Sequence, residues 1–336
     1  MEKYYISKEL STVVKGIAII LMLIHHIFTF PEWIVVDGGY SPNLIFADYF
    51  NSPTKLCVCI FAFVTGWAYA VNKNRTINYA LKKIIKFLIT FWLVAIPLIA
   101  VAVLFCNYRP DILNIITELT GLSSVIMVFC WYVSFYIVSM IILPLLSKAL
   151  DKNIFIALLA GVVLPIALLT LLNAVIHQSN LNLLINNLRH WFPCICVGYI
   201  CNNYDIFAKI KKLTKRINSV LILFFALIIC FVGRYFFAAL DFIYCAVLVF
   251  AISNVFNGSE NIVKKVIARI FSAFGSVSTN IWFLHCAFFS TVTREMFQPL
   301  IYWSANPIIV FACALLILYA FAFVFTKLDS LILKRL

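Results

Sequence analysis

Charge is scarce in this sequence. Only 12% of its 336 residues are charged, and 13 are acidic, against about a quarter charged in an ordinary soluble domain. A surface built from so few charged groups would leave large apolar patches facing water, so a water-soluble enzyme is excluded. Glycine and proline number 10 each, too few for a collagen-like or low-complexity chain. Disorder is excluded by the apolar share, which is 64%. The sequence contains no CxxC and no Cys/His ligand spacing, and its 11 cysteines all lie in apolar stretches. Neither a metal centre nor a disulfide framework is therefore expected. The cysteines read as small packing residues, including the pairs Cys57/Cys59 and Cys194/Cys196, whose members point to different helix faces.

What the chain has in abundance is apolar length. A helix needs about 20 apolar residues to cross the hydrocarbon core. That template predicts ten spans, at 12–30, 54–72, 84–106, 124–147, 153–175, 188–203, 217–233, 241–256, 270–293 and 306–326. The sixth and eighth are short, which suits tilted, broken or re-entrant segments. The expected fold is an all-α, polytopic integral membrane protein of about ten transmembrane helices. It forms a single membrane-embedded domain over 1–336, with no soluble domain and no repeat of fixed period. The run Val13–Phe30 follows Lys3, Lys8 and Lys15 and is long enough to span, so it reads as a transmembrane helix and not a cleavable signal.

Basic residues orient the chain, because cytosolic loops retain Lys and Arg. With the N-terminus inside, only Lys55, Arg109, Arg189, Arg234 and Arg294 of the 26 basic residues fall outside, leaving 21 inside. Both termini are expected in the cytosol, in a multi-pass cytoplasmic-membrane protein in contact with lipid. The net charge of +13 is read as this topology signal and not as a nucleic-acid interface.

An ionisable group inside a span is costly and is a functional-site hypothesis by default. The first span carries Lys15, His25 and His26. Lys15 and His26 are eleven residues apart, close to three helical turns, and so share one stripe about 16 Å long. His25 points about a quarter-turn away. Imidazole can take and return a proton near neutral pH. On spacing alone, proton transfer and simple capping of the span's outer end by two bonded histidines stand level.

Further motifs occur in order: Phe61-Ala62-Phe63-Val64-Thr65-Gly66-Trp67, Lys83-Ile84-Ile85-Lys86, Trp131-Tyr132-Val133-Ser134-Phe135-Tyr136 and Ser276-Val277-Ser278-Thr279-Asn280-Ile281-Trp282-Phe283-Leu284-His285. Together with Lys15 and His26, this series resembles the acyltransferase-3 family of integral membrane O-acyltransferases, and the likeness runs from the first span to the ninth. The family has Arg where Lys15, Lys83 and Lys86 stand, which removes a bidentate contact, and it has Ser where Thr65 stands. His26, not His25, falls on the family's essential histidine.

The resemblance implies transfer of an acyl group, commonly acetyl from cytosolic acetyl-CoA, to a hydroxyl of a cell-surface or cell-wall saccharide or a glycan-lipid. Acetyl-CoA would be the co-substrate, with no metal. It implies His26 as catalytic base or transient acyl carrier, Lys15, Lys83, Lys86 and Arg75 as contacts for the anionic donor, and His285, Trp131 and Tyr132 as acceptor contacts. The lysines also satisfy the positive-inside rule, Trp131 and Tyr132 also suit an interfacial aromatic belt, and His285 also suits a bonded core histidine. His177 and Arg189-His190-Trp191 read as outer-loop and interface residues. The alternative function is a transporter or translocase that uses intramembrane histidines, which would show inverted repeats and matched broken spans. An inactive partner or sensor module, and a homo-oligomeric state, also stay open.

Overall fold

The computed structural model describes residues 6–36, 39–40, 43–72, 74–122, 125–176, 178–258 and 260–334. Lys3 and His177, and the basic residues Lys73 and Arg335 counted on the inner side, lie outside the described residues. Among the described residues the fold is all helix, without a strand. In chain order the helices are α1 (Lys8–Phe28), α2 (Leu44–Thr54), α3 (Leu56–Val71), α4 (Ile77–Phe105), α5 (Ile112–Thr120) and α6 (Trp131–Lys152). They continue with α7 (Ile154–Leu158), α8 (Leu164–Val175), α9 (Ser179–Asn203), α10 (Ile206–Leu213), α11 (Ser219–Phe236) and α12 (Asp241–Phe256). The last are α13 (Ile262–Ser276), α14 (Ser278–Leu284), α15 (Arg294–Phe297), α16 (Pro299–Tyr302) and α17 (Pro307–Leu333).

Local chemistry sets several of these boundaries. The side chains of Asp111, Asn153, Asn218 and Asn306 accept backbone N–H bonds at the starts of α5, α7, α11 and α17, which satisfies donors a helix leaves unpaired. Gly121 closes α5 at φ 71°, a left-handed geometry that glycine adopts without a Cβ penalty.

Eight of these helical runs are long and apolar enough to cross a membrane: Lys8–Phe28, Phe46–Val71, Ile77–Phe105, Trp131–Lys152, Ile154–Val175, Ser219–Phe236, Ala238–Phe256 and Pro307–Leu333. The segments expected as sixth and ninth spans are helical but differ in kind. The sixth lies within α9, where Asn186, Asn187, Arg189, Asn202 and Asn203 flank the apolar stretch. The ninth is broken: α13 stops at Ser276, α14 resumes at Ser278, and a 3₁₀ turn follows over His285–Phe288. Ser276 bonds back to the Ala273 carbonyl at 2.7 Å, a local alternative to the helical ladder that suits a break.

The chain forms two compact units. The first comprises Met1–Met22, Tyr49–Tyr79 and Ile141–Ser276. Its core is held by close backbone crossings at glycine. A Cβ on Gly66 of α3 would stand 1.7 Å from the Ile195 carbonyl oxygen of α9, and one on Gly198 would stand 2.1 Å from that of Phe63. Gly16 of α1 and Gly275 of α13 form a second crossing, against Phe271 and Thr12. Small residues let helices approach this closely where lipid offers no hydrophobic drive for association. A buried ion pair adds direction: Arg234 donates to Asp241 at 2.7 and 3.1 Å and also bonds Ser52. All 11 cysteines are free, and nine of them are buried.

The second unit comprises Leu23–Asp48, Ala80–Met140 and Val277–Leu336. Tyr302 donates to the Ile27 carbonyl at 3.0 Å, Asn280 to Thr326 at 2.8 Å, and Thr90 to Asp329 at 2.9 Å. These bonds tie the end of α1 to α16, and α4 and α14 to α17.

Candidate active site

The end of α1 brings His25 and His26 into the second unit. Both are buried, His26 with 8% of its surface exposed. His25 lies 3.4 Å from the Thr29 hydroxyl through Nδ1 and packs edge-on to Phe30 at 5.1 Å between ring centroids. The His26 ring lies 3.8 Å from Phe129, 5.0 Å from His285 and 5.7 Å, stacked, from Phe30. Phe129 in turn stacks on His285 at 4.8 Å and 8°, while Trp33 lies 5.5 Å from Phe129 and stacks on Phe30 at 4.3 Å. Two imidazoles from distant parts of the chain thus share one aromatic-walled place.

The break before α14 has a consequence for His285. The residue opens the 3₁₀ turn and is 0% exposed, and its Nδ1 bonds the Trp282 carbonyl. A ring nitrogen facing a carbonyl must carry the proton, so the neutral ring keeps its lone pair on Nε2. Among the described residues that Nε2 has no hydrogen-bond partner. The walls are fastened as well. Gln298 donates to the carbonyls of Trp33 and Phe288 at 2.7 and 2.8 Å and accepts from the Val35 N–H at 2.8 Å.

Tyr132 is buried, with its ring 5.1 Å from Trp282, the residue that fixes the His285 tautomer, and Trp131 packs on Tyr132 at 6.0 Å. Trp282 itself donates to the Phe129 carbonyl at 3.5 Å. Tyr132 therefore touches the histidine cluster through Trp282, whereas Trp131 stands one layer further out. Lys83 and Lys86 are exposed on α4. Lys15 is half-buried on α1, next to the Gly16 crossing. Arg75 is committed within its own unit: it bonds Asp151 at 2.8 and 2.9 Å, Tyr199, and the carbonyls of Ala70 and Asn72. Its charge is thereby compensated by the Asp151 carboxylate. Among the described residues no group of three His, Cys, Asp or Glu has a metal-binding arrangement.

Phe129, Phe30, Trp33 and Phe289, whose ring lies 5.9 Å from His26, were not singled out by sequence reasoning. In a chain with 32 Phe and 7 Trp, single aromatics carry no signal. The place could have been sought only through the Pro31-Glu32-Trp33 turn immediately after the histidines.

A comparison with protein-family models matches residues 11–327 to the acyltransferase domain of the acyltransferase-3 family. No curated protein and no solved structure matches.

Proposed function

The chain belongs to the acyltransferase-3 family, whose domain covers nearly its whole length, and from that premise we propose that it acetylates a saccharide hydroxyl at the expense of cytosolic acetyl-CoA. Family membership makes it a multi-pass membrane acyltransferase with an acyl donor and an acceptor. The acceptor is a cell-surface or cell-wall glycan, or a glycan-lipid, reached from the face opposite the donor. The observation that carries this reading is the pair of buried imidazoles with ring centroids 5.0 Å apart.

His26 takes the proton of the acceptor hydroxyl as the oxygen attacks the thioester carbonyl. The new C–O bond forms, the C–S bond breaks, and the leaving CoA thiolate takes the proton back from His26. His285, with its lone pair held on Nε2, accepts a hydrogen bond from the acceptor. Phe30, Trp33 and Phe129 exclude water and offer ring faces to the apolar C–H side of a sugar. Lys83 and Lys86, exposed on α4 of the second unit, supply cations for the donor phosphates. The fixed tautomer of His285 favours one second reading, in which His285 is the base and His26 the binding group.

The test is release of free thiol from acetyl-CoA, with label transfer to an added glycan, by the purified full-length protein. His26→Ala is expected to abolish transfer in a folded protein, His285→Ala to weaken acceptor use, and His25→Ala to be milder, because His25 meets His26 only edge-on at 4.8 Å and its Nδ1 faces the Thr29 hydroxyl. Loss in the His285 variant that survives saturating acceptor, with activity retained in the His26 variant, would exchange the two roles. Equal loss in the His25 and His26 variants would sink the assignment.

A further inference from the structure

One buried acid takes no part in the chemistry above. Glu118, on α5, is 1% exposed. Its Oε1 accepts the N–H groups of Val125 and Ile126 at 2.6 and 2.8 Å, and its Oε2 accepts that of Met127 at 3.1 Å. A carboxylate is costly to bury unless charge-assisted bonds of this kind satisfy it. The backbone it grips leads directly to Phe129, the ring that contacts both His26 and His285. Two more bonds bracket the same segment: Ser290 donates to the Val125 carbonyl at 2.7 Å and Trp282 to that of Phe129 at 3.5 Å. The Cys130 N–H then returns to the Met127 carbonyl at 2.8 Å as the chain turns into α6.

We infer that Glu118 is a positioning residue of the active site, whose carboxylate fixes the Val125–Met127 backbone and thereby seats Phe129 against the two histidines. The inference rests on the assignment of His26 and His285 to the reaction. Three converging N–H donors explain why a carboxylate stands here. Its two oxygens can take all three, whereas an amide would offer one oxygen and turn an NH₂ group toward a donor. The titratable neighbours that act on Glu118 or feel it are the Tyr108 phenol and the Cys130 thiol, both uncharged at pH 7 at ordinary values. Burial pushes the Glu118 carboxyl above the usual range, and the three N–H bonds pull against that shift. Protonation replaces an acceptor lone pair with a donor. The grip on the loop is therefore present above the raised pKa and lost as pH falls through it.

The test uses the full-length protein in nanodiscs with isotope-labelled histidine and glutamate, so that ring resonances report the position of Phe129 and the carboxyl carbon that of the Glu118 proton. Phe129→Leu, which removes the ring, marks where the His26 and His285 peaks lie without it. Glu118→Gln is expected to move both peaks toward those positions and to leave His190, in the other unit, unchanged. Transfer should fall on the order of 10- to 100-fold, as displacements of about 1 Å in an active site do, with the donor KM within about twofold. Peaks in Glu118→Gln that coincide with the parent, while Phe129→Leu shifts them, would overturn the inference. Should Glu118→Gln fail to fold, a pH titration of the parent decides. The His26 and His285 peaks must step together with the Glu118 carboxyl carbon, and independent titration refutes the coupling. A parent without transfer activity would count against the proposed function and leave the resonance test of Glu118 intact.

Discussion

Replacing Gly66 by alanine puts a methyl group where there is no room for one. Its Cβ would stand 1.7 Å from the Ile195 carbonyl oxygen and 2.6 Å from the carbonyl carbon, whereas ordinary contact begins at 3.4 Å. Both obstructing atoms are backbone, so no side chain can swing aside, and α3 and α9 must separate by about 1.7 Å, the difference between those distances. Overpacking of this kind costs about 1–3 kcal/mol, and a clash with backbone belongs at the upper end, near 3 kcal/mol. Gly198→Ala strikes the same crossing from the other side, with 2.1 Å to the Phe63 oxygen, and should cost slightly less. One separation relieves both clashes, so the double variant should cost at least about 1 kcal/mol less than the sum of the singles. Unfolding in mixed micelles measures all three. Additivity to within about 0.5 kcal/mol, the behaviour of independent sites, would refute the shared crossing.

Other parts of the structure give further expectations. Asp241→Asn should destabilise by about 3–5 kcal/mol because it strands the buried Arg234, whereas replacing both residues with apolar ones of similar size should cost far less; equal losses would show the pair is not buried as described. Replacing Lys83 and Lys86 together with Gln should weaken acetyl-CoA binding several-fold in a calorimetric titration, and salt should weaken it in the parent; unchanged affinity would leave the two lysines a topological role alone. Accessibility reporters at Asn74, Asn202 and the C-terminus should read cytosolic and one at Ser179 external, and a reversed pattern would move the donor side to the other face.

The parts of this fold legible in the sequence are those encoded by apolar length. Eight spanning helices follow from runs in which hardly a charge interrupts Leu, Ile, Val and Phe. The break at Ser276–Ser278 was not read from the sequence, because the apolar runs on either side are long enough to make one span, although Gly275, Thr279 and Asn280 join the two serines there as weak helix formers. Gly66 lay inside a motif read by resemblance, but its reason, a backbone carbonyl on another helix, is a long-range fact. The same holds at the site. His26 and His285 each stood out as intramembrane histidines, yet nothing in their spacing places the two rings 5.0 Å apart. Arg234 read as one of five outer basic residues, and its pairing with Asp241 across the α11–α12 turn came only with the structure. Glu118 passed unnoticed because a single acid in a connecting segment is ordinarily solvated.

The most direct measurement of the account places donor and acceptor on opposite sides of a membrane. Proteoliposomes of known orientation receive labelled acetyl-CoA at the face expected to be cytosolic from the basic-residue bias and a glycan acceptor only at the other. The account predicts that label appears on the acceptor and that an equal amount of free CoA thiol stays on the donor side. It also predicts that His26→Ala, inserted normally, loses both signals together. Passage of an intact solute with no thiol released, for any acceptor tried, would contradict it.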